Sequence, residues 1–204
     1  WAAGQNCIGV QRIYIHRDAY ERFKAMVVER TKAYRIGNKL DESTDMGPMI
    51  NEGEARRVER WVQQAVAMGA TVLSGGGRKG ALMEPTVLEN VPAEATIHHQ
   101  EVFGPTVNLY PVDDLDQAIA AANSVDYGLH AAAFSRDVAT CHRLIDGLDA
   151  GSVLINDSTD YRLDSMPFGG IKKSGLGREG IRFSLAEMTE PKVVCWYLPG
   201  VRAR

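Results

Sequence analysis

The stretch Gly4-Gln5-Asn6-Cys7-Ile8-Gly9-Val10-Gln11-Arg12 sets one cysteine between two glycines, directly ahead of the apolar segment Ile13-Tyr14-Ile15. Glycines let a backbone turn sharply and approach a ligand closely. A thiol on such a turn can stand exposed and receive backbone N–H groups, which favour the thiolate, the reactive form. Cysteine is equally at home as a small buried hydrophobe. One cysteine without visible partners leaves both readings open.

Two motifs further along shift the balance. Glu101-Val102-Phe103-Gly104-Pro105 and then Pro167-Phe168-Gly169-Gly170-Ile171-Lys172-Lys173-Ser174-Gly175 follow Gly4-Gln5-Asn6-Cys7, in that order and at wide spacing. Together the three resemble the catalytic half of the NAD(P)-dependent aldehyde dehydrogenase superfamily, over essentially the whole chain from Gly4 to about Val194. The resemblance implies an α/β catalytic domain, a largely parallel sheet flanked by helices. It makes Cys7 the nucleophile. Glu101 matches the carboxylate that hydrogen-bonds the nicotinamide ribose, and Phe103 the aromatic beside the nicotinamide of NAD or NADP. Phe168 matches an aromatic lining the aldehyde tunnel, beside Gly169 and Gly170, while Asn6 and Ile8 shape the pocket floor. It further implies a small aldehyde substrate and assembly into homodimers or homotetramers.

An aldehyde carbon is electrophilic. Thiolate attack gives a thiohemiacetal, which can lose hydride to a nicotinamide and leave a thioester for water to release as the acid. The developing oxyanion needs donors, and the Cys7 N–H is one. By the resemblance, the second donor (an asparagine side chain), the glutamate general base and the Rossmann domain all lie before Trp1. The expectation is therefore a fragment of a longer polypeptide that keeps a reactive thiol but has no useful turnover alone.

The segment Asn156-Asp157-Ser158-Thr159-Asp160-Tyr161-Arg162 is polar where many relatives are more apolar. It looks most like subgroups acting on small hydroxy- or phospho-aldehydes, with Arg162 holding a polar or anionic substrate group; the alternative is a surface arginine. Two other functions compete: a non-catalytic interaction module assembled through its last strand, and an aldehyde dehydrogenase that passes the acyl group to coenzyme A.

Several elements must position these residues. Gln11 to His16 reads as a strand. Asp18 with Glu21 forms a capping box for a helix carrying Tyr20, Phe23, Val27, Thr31 and Tyr34 on one face, closed by Gly37. Asn51 with Glu54 opens a second helix, whose stripe is Ala55, Val58, Val62, Ala65 and Val66. Strands are expected at 71–73, 86–88, 107–110, 131–134 and 152–156, and helices at 113–124 and 137–148. This alternation gives an α/β domain with a largely parallel sheet over residues 1–190. Residues 191–204 follow as a C-terminal oligomerisation strand and tail, centred on Val193-Val194-Cys195-Trp196-Tyr197-Leu198.

Three lookalike motifs are set aside. Gly75-Gly76-Gly77 lacks Walker spacing and reads as a flexible turn. Gly175-Leu176-Gly177-Arg178-Glu179-Gly180 is a literal dinucleotide fingerprint without the preceding strand or the following βαβ unit. His98-His99-Glu101, taken as strand neighbours, point to opposite faces and lack further ligands for a metal.

The bulk numbers agree with a soluble enzyme domain. A chain of 204 residues, 45% hydrophobic and 24% charged, can bury one core without disulfides. A net charge of −3 with scattered basic residues gives no case for nucleic acid, and no apolar run reaches the length of a membrane span. No signal-peptide pattern opens the chain. Cys7, Cys141 and Cys195 fit neither a disulfide framework nor a metal motif, so a reducing, cytoplasmic setting is expected.

Overall fold

Runs of β-favouring residues alternate with segments of helical period. In the computed structural model, which describes residues 2–200, they become β1 Arg12–His16, α1 Arg17–Lys32, α2 Glu52–Ala67 and β2 Thr71–Ser74. The hairpin strands β3 Arg78–Lys79 and β4 Leu82–Met83 precede β5 Thr86–Glu89, the single turn α3 Thr96–His99, β6 Thr106–Val112 and α4 Leu115–Asn123. Then come β7 Tyr127–Gly128, β8 His130–Ala133, α5 Val138–Gly147, β9 Ser152–Ile155, β10 Ile171–Lys172 and α6 Ile181–Glu187.

The main sheet runs β1-β6-β5-β2, with β1, β6 and β5 parallel and β2 antiparallel to β5. A second parallel pair is β8-β9, while β7-β10 and β3-β4 are short antiparallel pairs. The sheet system is thus mixed and mostly parallel, as the strand–helix alternation requires.

Parallel strands need cover on both faces. On one face α2 presents Ala55, Val58, Val62 and Ala65, all buried, to Met83, Leu88, Ile97 and Val102. On the other, Tyr20 and the partly buried Val27 and Val28 of α1 meet Ile15, Val87 and Leu109. Burying a side chain the size of Leu88 or Leu109, each fully enclosed, stabilises by about 1.5–3 kcal/mol. Asn51 caps α2 as expected, its side chain accepting from the Glu54 N–H at 2.9 Å.

The structure differs from the sequence reading in several places. Helix α1 begins two residues early, with His16 rather than Asp18 as cap, because the ring Nδ1 accepts from the Asp18 N–H. It also stops at Ala33, well before Gly37. Phe23 and Tyr34 stay exposed, so only part of the α1 stripe is core, and Val66 of the expected α2 stripe is exposed as well. His98 and His99 belong to the helical turn α3, not a strand. Residues 191–200 form no strand within the single chain, and Val193, Val194, Trp196, Tyr197 and Leu198 are all exposed. A β-forming run has no ladder until another strand supplies one. No helix among the described residues is long and apolar enough to cross a membrane.

The lookalike motifs resolve by hydrogen bonding. The Gly76 and Gly77 N–H groups donate to Thr86 Oγ1 and Glu84 Oε2, so the glycine turn is anchored rather than flexible and spends these two donors within the chain. A strand (β10) and a helix (α6) do flank the Gly175–Gly180 segment, but β10 pairs antiparallel with β7 and the Arg178 N–H faces the Glu187 carboxylate. His98 is buried and spends its Nδ1 on the Tyr110 hydroxyl at 2.7 Å. Among the described residues no group of three His, Cys, Asp or Glu side chains is placed to hold a metal.

Candidate functional site

Cys7 sits on an exposed turn that leads into β1. The turn is closed by a long bond from the Gly9 N–H to the Asn6 carbonyl, 3.5 Å, and preceded by three residues in the left-handed region, Ala2, Ala3 and Gly4, with φ of 48°, 53° and 69°. Gln5 ties the turn to α2's approach by accepting from the Ile50 N–H at 2.7 Å. Asn6 folds against Gly9, and its Oδ1 is buried without a partner among the described residues. Ile8 is partly buried beside it. Among the described residues the Cys7 N–H has no acceptor, leaving it free to face a ligand.

The segment 101–105 lies directly against this turn. A Cβ on Gly4 would stand 2.1 Å from the Gly104 carbonyl oxygen, so the two backbones are in contact. One side chain clamps the segment: Gln11 Nε2 donates to the carbonyls of Ile97 (3.0 Å) and Gln100 (2.8 Å), and its Oε1 accepts from the Val102 N–H (3.0 Å). Arg57 adds a bond from Nη2 to the Val102 carbonyl at 2.7 Å. Glu101 is thereby fixed at both flanking peptides. Its carboxyl is solvent-accessible and accepts no hydrogen bond among the described residues, yet surrounding protein partly desolvates it and raises its pKa above the ordinary value. Phe103 follows at φ 49° with its ring 40% exposed.

Replacing Gln11 with leucine strips all three bonds and leaves the Gln100 carbonyl and the Val102 N–H without that partner, while the Ile97 carbonyl keeps its bond from Asn108 Nδ2 at 3.0 Å. The expected loss is about 1–3 kcal/mol, read as a lower denaturation midpoint at unchanged m-value. An unchanged midpoint would show that the clamp contributes nothing.

On the other side of Cys7 stands the segment 156–168. Thr159 is 7% exposed and donates from Oγ1 to the Ile8 carbonyl at 2.5 Å. The Thr159 carbonyl accepts from His130 Nδ1 at 2.8 Å. The His130 ring stands edge-on to Phe168, centroids 5.3 Å apart. Arg162 lies over the other partner's ring, its Cζ 3.9 Å from the Phe168 centroid, and pairs with Glu179 at 3.1 Å. Phe168 and Glu179 also exchange backbone bonds.

The structure therefore gathers Asn6, Cys7 and Ile8 with two flanks: Glu101 and Phe103 through Gly4 and Gln11, and Phe168 and Arg162 through Thr159 and His130. It does not enclose Cys7. Two open surface hollows, about 450 and 380 Å³, lie elsewhere, around Arg56, Arg60 and Arg78 and around Lys39, Pro48 and Leu82. Sequence reasoning missed Gln11, Thr159 and His130. A polar residue opening an otherwise apolar strand, as Gln11 and His130 nearly do, was the available signal.

Comparison with known proteins gives the family and the fold. The model of the aldehyde dehydrogenase family matches residues 1–194. A 3-sulfolactaldehyde dehydrogenase of Priestia aryabhattai is 44% identical over 94% of this chain and 40% of its own. The crystal structure of aldehyde dehydrogenase 21 from Physcomitrella patens with the reaction product succinate superposes with a TM-score of 0.94, at 41% identity over 98% of this chain and 42% of that one. Glyceraldehyde-3-phosphate dehydrogenase GapN from Methanocaldococcus jannaschii, complexed with NADP, gives 0.87 at 41% identity, covering 91% and 40%. The chain thus spans about two-fifths of the length of the relatives it matches. With the motif residues assembled around one exposed cysteine and the family model running almost end to end, the chain belongs to the aldehyde dehydrogenase family.

Proposed function

We propose that these residues form the nucleophile-bearing part of an NAD(P)-dependent aldehyde dehydrogenase. The observation that carries the reading is the exposed Cys7 on a turn buttressed from both sides. Cys7 attacks the aldehyde carbon to give a thiohemiacetal, its N–H donates to the developing oxyanion, and loss of hydride to the nicotinamide that these residues would hold would leave a thioester for water to release as the acid. The residues present fit a nicotinamide nucleotide: Glu101 offers a carboxylate with open acceptor capacity for ribose hydroxyls, and Phe103 an exposed ring face. When bound, that group supplies the hydride acceptor. The 204 residues by themselves are expected to keep a reactive thiol without turnover. Val193 to Leu198 are proposed to add a strand to a second copy of the chain, giving a homodimer or homotetramer.

The substrate proposed is a small aldehyde carrying an anionic group. Relatives named for 3-sulfolactaldehyde and glyceraldehyde 3-phosphate support it, as does the guanidinium of Arg162, immobilised on Phe168. Steady-state rates of the full-length protein carrying these residues with glyceraldehyde 3-phosphate, glycolaldehyde and a long-chain aldehyde test it. In Arg162→Gln the KM for the phosphorylated aldehyde should rise about tenfold, roughly 1.4 kcal/mol, with glycolaldehyde unaffected. A preference for the long apolar aldehyde, or equal effects on all three, would remove Arg162 from substrate binding.

A further inference from the structure

The hydroxyl of Thr159 has one hydrogen to give, and it gives it to the peptide that follows the cysteine, 151 residues away in sequence. At 2.5 Å this bond is far shorter than the 3.5 Å bond closing the turn itself, and Gly9 next to it offers no side chain to resist rotation. The Ile8 carbonyl is therefore held from outside the turn. Thr159 is in turn held by His130. A carbonyl only accepts, so His130 Nδ1 carries the hydrogen in that 2.8 Å bond. The other ring nitrogen, Nε2, is buried with no partner among the described residues. A buried polar atom left unsatisfied is costly. The ring tolerates it while β8 holds its backbone and Phe168 packs edge-on against it.

We infer that Thr159 is a positioning residue for the nucleophile: it fixes the Cys7 turn through the Ile8 carbonyl, with His130 as its support. The inference rests on Cys7 being the nucleophile. Its effect is separable from cofactor binding, because Glu101 and Phe103 are held independently by Gln11 and Arg57. Misplacing an attacking atom slows the chemical step without weakening a binding site elsewhere.

The test is steady-state aldehyde oxidation by the full-length protein carrying these residues. Thr159→Val keeps the shape and loses the donor. It should lower kcat on the order of 10- to 100-fold with the KM for NAD(P)⁺ unchanged. Thr159→Ser restores the donor and should stay within about threefold of the parent. His130→Leu should fall with Thr159→Val, and His130→Asn, whose amide replaces the Nδ1 donor, should not. If Thr159→Val does not fold, the His130 pair decides. A kcat for Thr159→Val within about twofold of the parent, or a Thr159→Ser as slow as Thr159→Val, overturns the inference. Cys7→Ser is run alongside. If it still oxidises aldehyde, the nucleophile reading itself fails; if it is dead while Thr159→Val is normal, only the positioning role is lost.

Discussion

Changing Cys7 to serine should abolish aldehyde oxidation, by at least about 10³-fold in kcat, while leaving the fold intact. The thiol is exposed, on a turn rather than in either core cluster, so removing sulfur opens no cavity. Serine is nearly isosteric but a far weaker nucleophile near neutral pH without an adjacent base. Among the described residues the histidine nearest in the hydrogen-bond network, His130, does not serve as such a base, since it directs its Nδ1 to a carbonyl and buries its Nε2. Appearance of reduced nicotinamide in the full-length protein measures the loss, and circular dichroism confirms the unchanged fold. Cys141→Ser and Cys195→Ser serve as controls, since one thiol lies mid-helix against the Ser135 carbonyl and the other in the C-terminal run. Retained oxidation by Cys7→Ser, or equal loss in the controls, would remove Cys7 from the chemistry.

The parts of this fold that could be read from the chain are those where local and tertiary preferences coincide. Helix α2 shows its cap, its buried stripe and its end in sequence, because Asn51 accepts from the Glu54 N–H and Ala55, Val58, Val62 and Ala65 all face one core. Helix α1 misleads at its start, because Asp18 and Glu21 spell a capping box while the His16 ring takes the capping bond. Three short motifs drew attention to Cys7, Glu101, Phe103 and Phe168 as candidates, since each carries its own glycine or proline punctuation. Gln11, Thr159 and His130 carry none. Their significance lies in bonds spanning 29 to 151 residues, which no local pattern encodes. Arg162 was visible as a charge in a polar loop, but its stacking on Phe168 and its pairing with Glu179 were not. The C-terminal run shows the opposite case. Its β propensity is plain in sequence, and a single chain leaves it without a partner strand.

Gly4→Ala should be strongly damaging, destabilising by about 3–5 kcal/mol. Part of this is local: Gly4 has φ +69°, where a Cβ costs about 1–2 kcal/mol. The larger part is contact. The new Cβ would lie 2.1 Å from the Gly104 oxygen, 2.5 Å from its carbon and 3.1 Å from the Pro105 nitrogen, all backbone atoms that no rotamer change can move. Nor can Gly104 retreat, since a Cβ built there would already meet Val58 Cγ2 at 2.6 Å, and Val58 is fully buried in the main core. The strain must therefore push the Cys7 turn away from the segment bearing Glu101 and Phe103. Gly80→Ala isolates the backbone contribution, because Gly80 has φ +59° and open space around its would-be Cβ. The expected order is a Tm fall of roughly 10 °C for Gly4→Ala against about 3 °C for Gly80→Ala. Equal falls would mean that the contact between the two loops is slack, and with it the coupling between nucleophile and nicotinamide sides of the site. A fall confined to Gly4→Ala, with lost oxidation rescued by no increase in NAD(P)⁺ concentration, would instead show that the turn and the 101–105 segment act as one unit.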